Sequence, residues 1–204
     1  TAPFGLVRYG VAPDHQKIKQ VIQAFTRTAS HERVRFFGNV TVGKDITSAQ
    51  LAALYDQVVY ATGCEAPRTL GVPGEHLPGV HSALAFVSWY NAHPDYRNYS
   101  VNLNVTDVAV VGAGDVSMDV ARLLLSTKEE LMRTDMPEYA LSEFEKKRIR
   151  RIHFFIRRGP AEASFAQKEL RAVAARDHVR VVCDVSILRE ALADLPDGHA
   201  APQQ

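Results

Sequence analysis

The chain has 204 residues, 46% of them apolar, with 24 Lys plus Arg against 23 Asp plus Glu and a formal net charge of +1. That length admits one large domain or two small ones with a real core, and a charge so near zero argues against nucleic-acid binding or long-range attraction to a membrane surface, so any basic site must be local. The two cysteines, Cys64 and Cys183, lie far apart and outside CxxC spacing, which argues against a disulfide framework or a zinc site, fits a reducing compartment, and reads both as buried small apolar residues.

From Asp14, the residues Ile18, Val21, Ile22 and Phe25 recur at helical spacing behind Pro13-Asp14, a start signal, and predict one amphipathic helix. Val34 to Phe37, then Val40 and Val42, read as two short strands around Gly38-Asn39, closed by Gly43. Thr47-x-x-Gln50 is a capping-box pattern that opens a short helix through Leu54. Gln57 to Tyr60 reads as a buried strand running into Ala61-Thr62-Gly63; a loop rich in Pro and Gly follows from Pro67 to Gly79, then a helix from Ala83 to Tyr90. The polar, aperiodic stretch from His93 to Asn104 is the candidate domain boundary.

Beyond it, Val108 to Val111 is a short buried strand, and Val116, Val120, Leu123 and Leu124 mark a helix. Ser142-x-x-Glu145 predicts the cap of a charged helix through Arg151, on which Lys146, Lys147, Arg148, Arg150 and Arg151 form a basic, solvated face. Ile152 to Ile156 is a strand, Ala163 to Ala175 a helix, Val179 to Val182 a third strand, and the tail 196–204 is expected to be disordered. No apolar run approaches the ~20 residues of a membrane span. Alternating strands and helices place the chain in the α/β class with parallel sheets.

The chemistry concentrates at Val110-Val111-Gly112-Ala113-Gly114-Asp115-Val116-Ser117. The first glycine permits a tight turn off the strand; the second lets a pyrophosphate reach the backbone at a helix N-terminus, where free N–H groups and the helix dipole favour an anion. Ser117 stands at the third position, normally Gly or Ala. Gly-x-Gly also occurs in plain turns, and the flanking apolar strand and periodic helix favour dinucleotide binding over that reading. Asp115 suits the dipole but would repel a diphosphate unless it points away. After the next strand comes Arg157-Arg158-Gly159-Pro160, where an NAD site would carry an acid. Guanidinium groups grip a 2′-phosphate in forked geometry, which marks the site for NADP; a solvated arginine pair is the plainer alternative.

Six segments match one known family in order: Gly5-Leu6-Val7-Arg8-Tyr9-Gly10-Val11-Ala12-Pro13-Asp14-His15; Gly38-Asn39-Val40-Thr41-Val42-Gly43; Phe86-Val87-Ser88-Trp89-Tyr90-Asn91; Gly112 to Arg122; Arg157-Arg158-Gly159-Pro160; and Lys168-Glu169-Leu170. On these the chain resembles the adrenodoxin reductase-type NADPH:ferredoxin oxidoreductases. The resemblance implies two Rossmann-like nucleotide-binding folds, both partial: residues 1–94 as the C-terminal part of an FAD-binding domain, and 95–204 as the N-terminal part of an NADP-binding domain. It implies a flavoprotein that passes electrons from NADPH through FAD to a [2Fe–2S] ferredoxin, in the mitochondrial matrix of eukaryotes or the cytoplasm of bacteria.

By motif position, Gly112, Ala113, Gly114, Asp115 and Val116 would hold the diphosphate, Arg157 and Arg158 the 2′-phosphate, and Glu169 would also touch NADP. Val42 would offer its backbone to the adenine end of FAD. Asp119 is the catalytic candidate, for proton or charge handling, with a plain ion pair to Arg122 as the alternative. Against the family pattern, the chain begins downstream of the FAD diphosphate turn, shows no Gly-Trp segment after Val182, and has Asp115 where Asn is usual, so the FAD site is expected to be incomplete. No metal site is expected. A non-catalytic structural or NADP-sensing module with the reductase fold is the alternative function, and the flavin subunit of another electron-transfer complex a more distant one.

Overall fold

A computed structural model describes residues 3–64, 66–157, 159, 163–186 and 188–189. The chain divides into two compact units, Thr1–Val101 with Arg133–Ala140, and Asn102–Met132 with Leu141–Gln204. The expected disorder of 196–204 lies outside the described residues.

The first unit opens with α1 (Gly5–Tyr9), α2 (Gln16–Lys19) and α3 (Ile22–Ala29). The single helix expected from Asp14 is therefore two. Gln20 and Val21 keep right-handed angles, but ψ near −20° and the Val21 N–H to Ile18 carbonyl bond at 3.2 Å tighten the turn to 3₁₀ geometry. Next comes α4 (Ser48–Leu54), opened by the expected capping box: Thr47 Oγ1 accepts from the Gln50 N–H at 3.1 Å, and Gln50 Oε1 accepts from the Thr47 N–H at 2.9 Å. Then α5 (Ala83–Tyr90) begins with the Ser82 hydroxyl accepting from the Ala85 N–H, and Ala85 through Tyr90 are all buried. A 3₁₀ turn, Pro94–Tyr96, follows.

The strands predicted between these helices do not form. Val34 to Phe37 and Val40 run without a ladder, Val42 makes only an isolated bridge with Ile46, and Gln57 to Tyr60 makes none. Their apolar side chains stay exposed, 68% at Phe37 and 75% at Val59. A strand is defined by partners across the ladder, and among the described residues of this unit none lies alongside. The same holds for Val179 to Val182 in the second unit.

The second unit holds the sheet. β1 (Asp107–Val111) pairs in parallel with β2 (Arg151–Phe155), from Asp107 opposite Arg151 to Val111 opposite Phe155. Between them run α6 (Asp115–Leu125), α7 (Lys128–Leu131) and α8 (Glu138–Glu145), and after β2 comes α9 (Gln167–Ala174). β1 is not buried throughout, as expected of a sandwiched strand: Val108 and Val110 are half-buried and Val111 is exposed. Met118, Ala121, Leu123 and Leu124 of α6, Leu131, Phe144 and Val173 are buried in this unit.

Ser142 does not cap a helix; it lies inside α8, which starts after Pro137, a residue whose fixed φ suits a first helical turn. The helix stops at Glu145 because tertiary partners take over the backbone: Arg148 N–H donates to the Leu103 carbonyl and Arg150 N–H to that of Thr106. The basic run is thus a connection and not a helix face, and Lys147 turns inward to donate to the Ser126 carbonyl, its ammonium pulled down to about 8 by burial. Both cysteines, expected to be buried, are exposed free thiols.

Candidate dinucleotide site

Gly112 ends β1 by donating its N–H to the Phe155 carbonyl at 3.0 Å, so the ladder runs up to the turn. Its φ of 126° is open to glycine alone, and an alanine would cost about 1–3 kcal/mol in backbone strain. Gly114 caps α6 in an extended conformation, and the N–H groups of Asp115 and Val116 behind it have no acceptor within the helix. Ser117 acts as more than a small residue: its Oγ accepts from the Gly114 N–H at 3.3 Å, and a Cβ on Gly112 would meet that oxygen at 3.4 Å.

A second segment braces this turn. Ser164 donates to the Ala113 carbonyl from its N–H at 2.9 Å and from its hydroxyl at 3.0 Å. The Asp115 carboxylate accepts from the N–H of Ala166, the N-cap of α9, at 2.9 Å. Its charge is therefore committed to the start of a neighbouring helix, the direction that relieves its conflict with an anion at α6. Nothing in the sequence marks Ser164 or Ala166, because both contacts join positions 51 residues apart.

Deeper in the unit, Arg122 on α6 bridges two carboxylates, Asp119 Oδ1 and Glu169 Oε2, each at 2.7 Å. The Arg122 side chain is only 7% exposed, so the charge-assisted bonds act where water screens little. The Asp119–Arg122 contact at i, i+3 is readable from helical spacing; the link to Glu169, which fastens α9 to α6, is not. Asp119 and Glu169 thus meet at one guanidinium.

Arg157 is exposed two residues past β2. The parallel register brings the chain beyond Phe155 to the sheet end where Gly112 to Gly114 turn. Arg158 lies outside the described residues. Val42 sits in the first unit within a tight turn, where the Gly43 N–H donates to the Ile46 carbonyl at 2.7 Å and the Thr41 N–H to Asp45 Oδ2 at 2.7 Å.

The profile of the pyridine nucleotide-disulphide oxidoreductases matches residues 6–187. The chain belongs to that family. It is 46% identical over 182 residues to NADPH-ferredoxin reductase FprA of Mycobacterium tuberculosis, which covers 89% of this chain and 40% of the relative. It is 49% identical over 172 residues to the mitochondrial NADPH:adrenodoxin oxidoreductase of Arabidopsis thaliana, 84% of this chain and 36% of the relative. The solved structure of M. tuberculosis FprA in complex with NADPH superposes with a TM-score of 0.88 at 45% identity, over 93% of this chain and 42% of that one. The chain spans about 40% of the length of the curated relatives it matches. Its helices and small parallel sheet are part of an α/β, Rossmann-type fold, as the resemblance implies. Among the described residues, no helix is long and apolar enough to cross a membrane.

Proposed function

We propose that this chain forms part of an NADPH:ferredoxin oxidoreductase and supplies part of its NADP site, with residues 1–94 belonging to a partial FAD domain and 95–204 to a partial NADP domain. The observation that carries the reading is the braced turn at α6: a strand ends at positive-φ Gly112, the helix N-terminus presents two backbone donors, and the adjacent carboxylate of Asp115 is drawn off by Ala166. This is the chemistry of a diphosphate cradle.

In this reading Gly112, Ala113, Gly114, Asp115 and Val116 bind the diphosphate through backbone N–H groups, and Arg157 with Arg158 reads the 2′-phosphate at the end of β2. Glu169, held by Arg122, borders the nucleotide, and Val42 meets the adenine end of FAD through its backbone. Asp119, fixed by the same guanidinium, handles charge or a proton near the flavin. When bound, NADPH supplies a hydride and FAD divides the pair into single electrons. The acceptor is a [2Fe–2S] ferredoxin. Relatives include mitochondrial and mycobacterial proteins, and the matrix of a eukaryote, or the cytoplasm of a bacterium, is the compartment this function requires.

Calorimetric titration of the chain with NADP(H) and NAD(H), at low and physiological salt, tests the reading. NADP(H) should bind in preference, more weakly as salt rises, and the preference should vanish in the Arg157→Ala/Arg158→Ala variant. Equal affinity for the two nucleotides, or none for either, would overturn it.

A further inference from the structure

The chain has seven tyrosines and one tryptophan, and five of those tyrosines lie with Trp89 in one continuous ring cluster of the first unit. Trp89 stacks on Phe86 at 5.6 Å between centroids, and Phe86 stands 6.4 Å from the His81 ring. His81 meets Tyr99 edge-on at 5.3 Å, and Tyr99 meets Tyr96 at 6.1 Å. On the other side, Tyr139 lies 6.1 Å from Trp89 and donates its hydroxyl to the Trp89 carbonyl at 2.7 Å. Edge-to-face and offset packing at these spacings stabilises a core, but packing alone does not require so many rings that yield an electron.

One contact has a chemical direction. Tyr99 Oη lies 2.7 Å from His81 Nδ1, and both groups are part-buried. Burial holds the His81 imidazolium below its usual range and the Tyr99 phenol above its own. At neutral pH the pair is therefore a protonated phenol beside a neutral imidazole, a proton donor facing a base of suitable geometry.

We propose that the Tyr99–His81 pair is a built site of one-electron oxidation, which collects oxidising equivalents from the buried ring cluster around Trp89. The oxidant is a high-potential one-electron acceptor, such as carbonate radical anion or photogenerated ruthenium(III) tris-bipyridine. One electron leaves the Tyr99 ring for the oxidant, the phenolic O–H bond breaks, and its proton forms an N–H bond at His81 Nδ1. The products are a neutral tyrosyl radical, the His81 imidazolium and the reduced oxidant. An electron lost first from Trp89 or Tyr139 is replaced through Phe86 and His81 from Tyr99, where the hydrogen-bonded imidazole takes the proton in the same step. The inference stands whether or not the chain turns over NADPH.

Flash photolysis of the purified chain with ruthenium(II) tris-bipyridine and persulfate, followed by freeze-quench EPR, tests it. The wild-type chain should show a tyrosyl radical, most of which is lost in Tyr99→Phe, with an indole radical at Trp89 in its place. His81→Phe keeps a ring but removes the base, and should lose the signal although Tyr99 remains. The exposed Tyr55→Phe/Tyr60→Phe double variant should leave it intact. Spin-trap adducts mapped by peptide mass spectrometry on the wild-type chain read the same site without a substitution, and should fall on Tyr99. A full signal in Tyr99→Phe, or adducts confined to Tyr55 and Tyr60, would overturn the proposal.

Discussion

Two regions of this chain carry strand-like sequence, and they end differently. Val108 to Val111 and Ile152 to Phe155 lie far apart in the chain, separated by three helices, yet they pair in register and place the glycine turn at the end of their ladder. Val34 to Val42 and Gln57 to Tyr60 are as rich in Val, Phe and Tyr, yet remain extended and exposed, with one isolated bridge between Val42 and Ile46. Composition suits a residue to a pleated surface, but the free energy of a strand comes from a neighbour across the ladder and from side-chain pairs on the same face. In the second unit that neighbour is present and α6 packs behind β1; in the first unit the described residues offer none.

Native-state hydrogen exchange should separate the two regions most widely. Amides of β1 and β2 should open only with large-scale unfolding, while those of Val34 to Val42 and Gln57 to Tyr60 exchange at loop rates. Equal protection in both would break the comparison. Next in size is Arg122→Ala, which leaves the buried Glu169 and the half-buried Asp119 carboxylates poorly compensated and should cost about 3–5 kcal/mol in urea unfolding. A loss under about 1 kcal/mol, the value of a surface pair, would mean that the bridge does not fasten α9.

The contrast sharpens with two truncations. Leu123, with no exposed surface, should cost about 2–5 kcal/mol on conversion to Ala, whereas Val59→Ala at an unladdered position should stay within about 0.5 kcal/mol. Similar losses at the two sites would show that the first unit's extended segments are packed after all. The smallest effect is at Asp107, opposite Arg151 in the register. Hydrogen bonds from Arg151, then from Thr106 and His153, hold its carboxyl well below the usual carboxylate range. A depressed folded-state pKa contributes stability above the unfolded value, and that contribution is lost as pH falls below about 4. Asp107→Asn should therefore lower stability slightly at neutral pH, as the loss of an exposed pair does, and flatten the acid limb so that the two chains converge at low pH; an unaltered acid limb would remove Asp107 from the register clamp.

Local signals were readable wherever the physics is local. The Thr47–Gln50 box, the apolar run of α5, and the turn from Gly112 to Gly114 with the strand before it and the helix after it all follow from short-range hydrogen bonding, backbone freedom and periodicity. The Ser142 pattern misled because Pro137 had already started α8, and because carbonyls of Leu103 and Thr106 ended it before Arg151. Cys64 and Cys183 misled because small apolar character says nothing about where a loop is placed.

By itself, then, the sequence determined the class of the fold, the glycine turn with its strand and helix, the arginine pair beyond β2 and the family resemblance, since each rests on residues adjacent in the chain. Only the tertiary structure decided where Asp115 directs its charge, that Ser164 braces the turn, that Arg122 joins Asp119 to Glu169, that the rings from Tyr96 to Tyr139 form one cluster, and which strand-like segments find a partner. Those outcomes depend on groups that are distant in sequence and meet only when the chain is folded, where burial and hydrogen bonding set their energies.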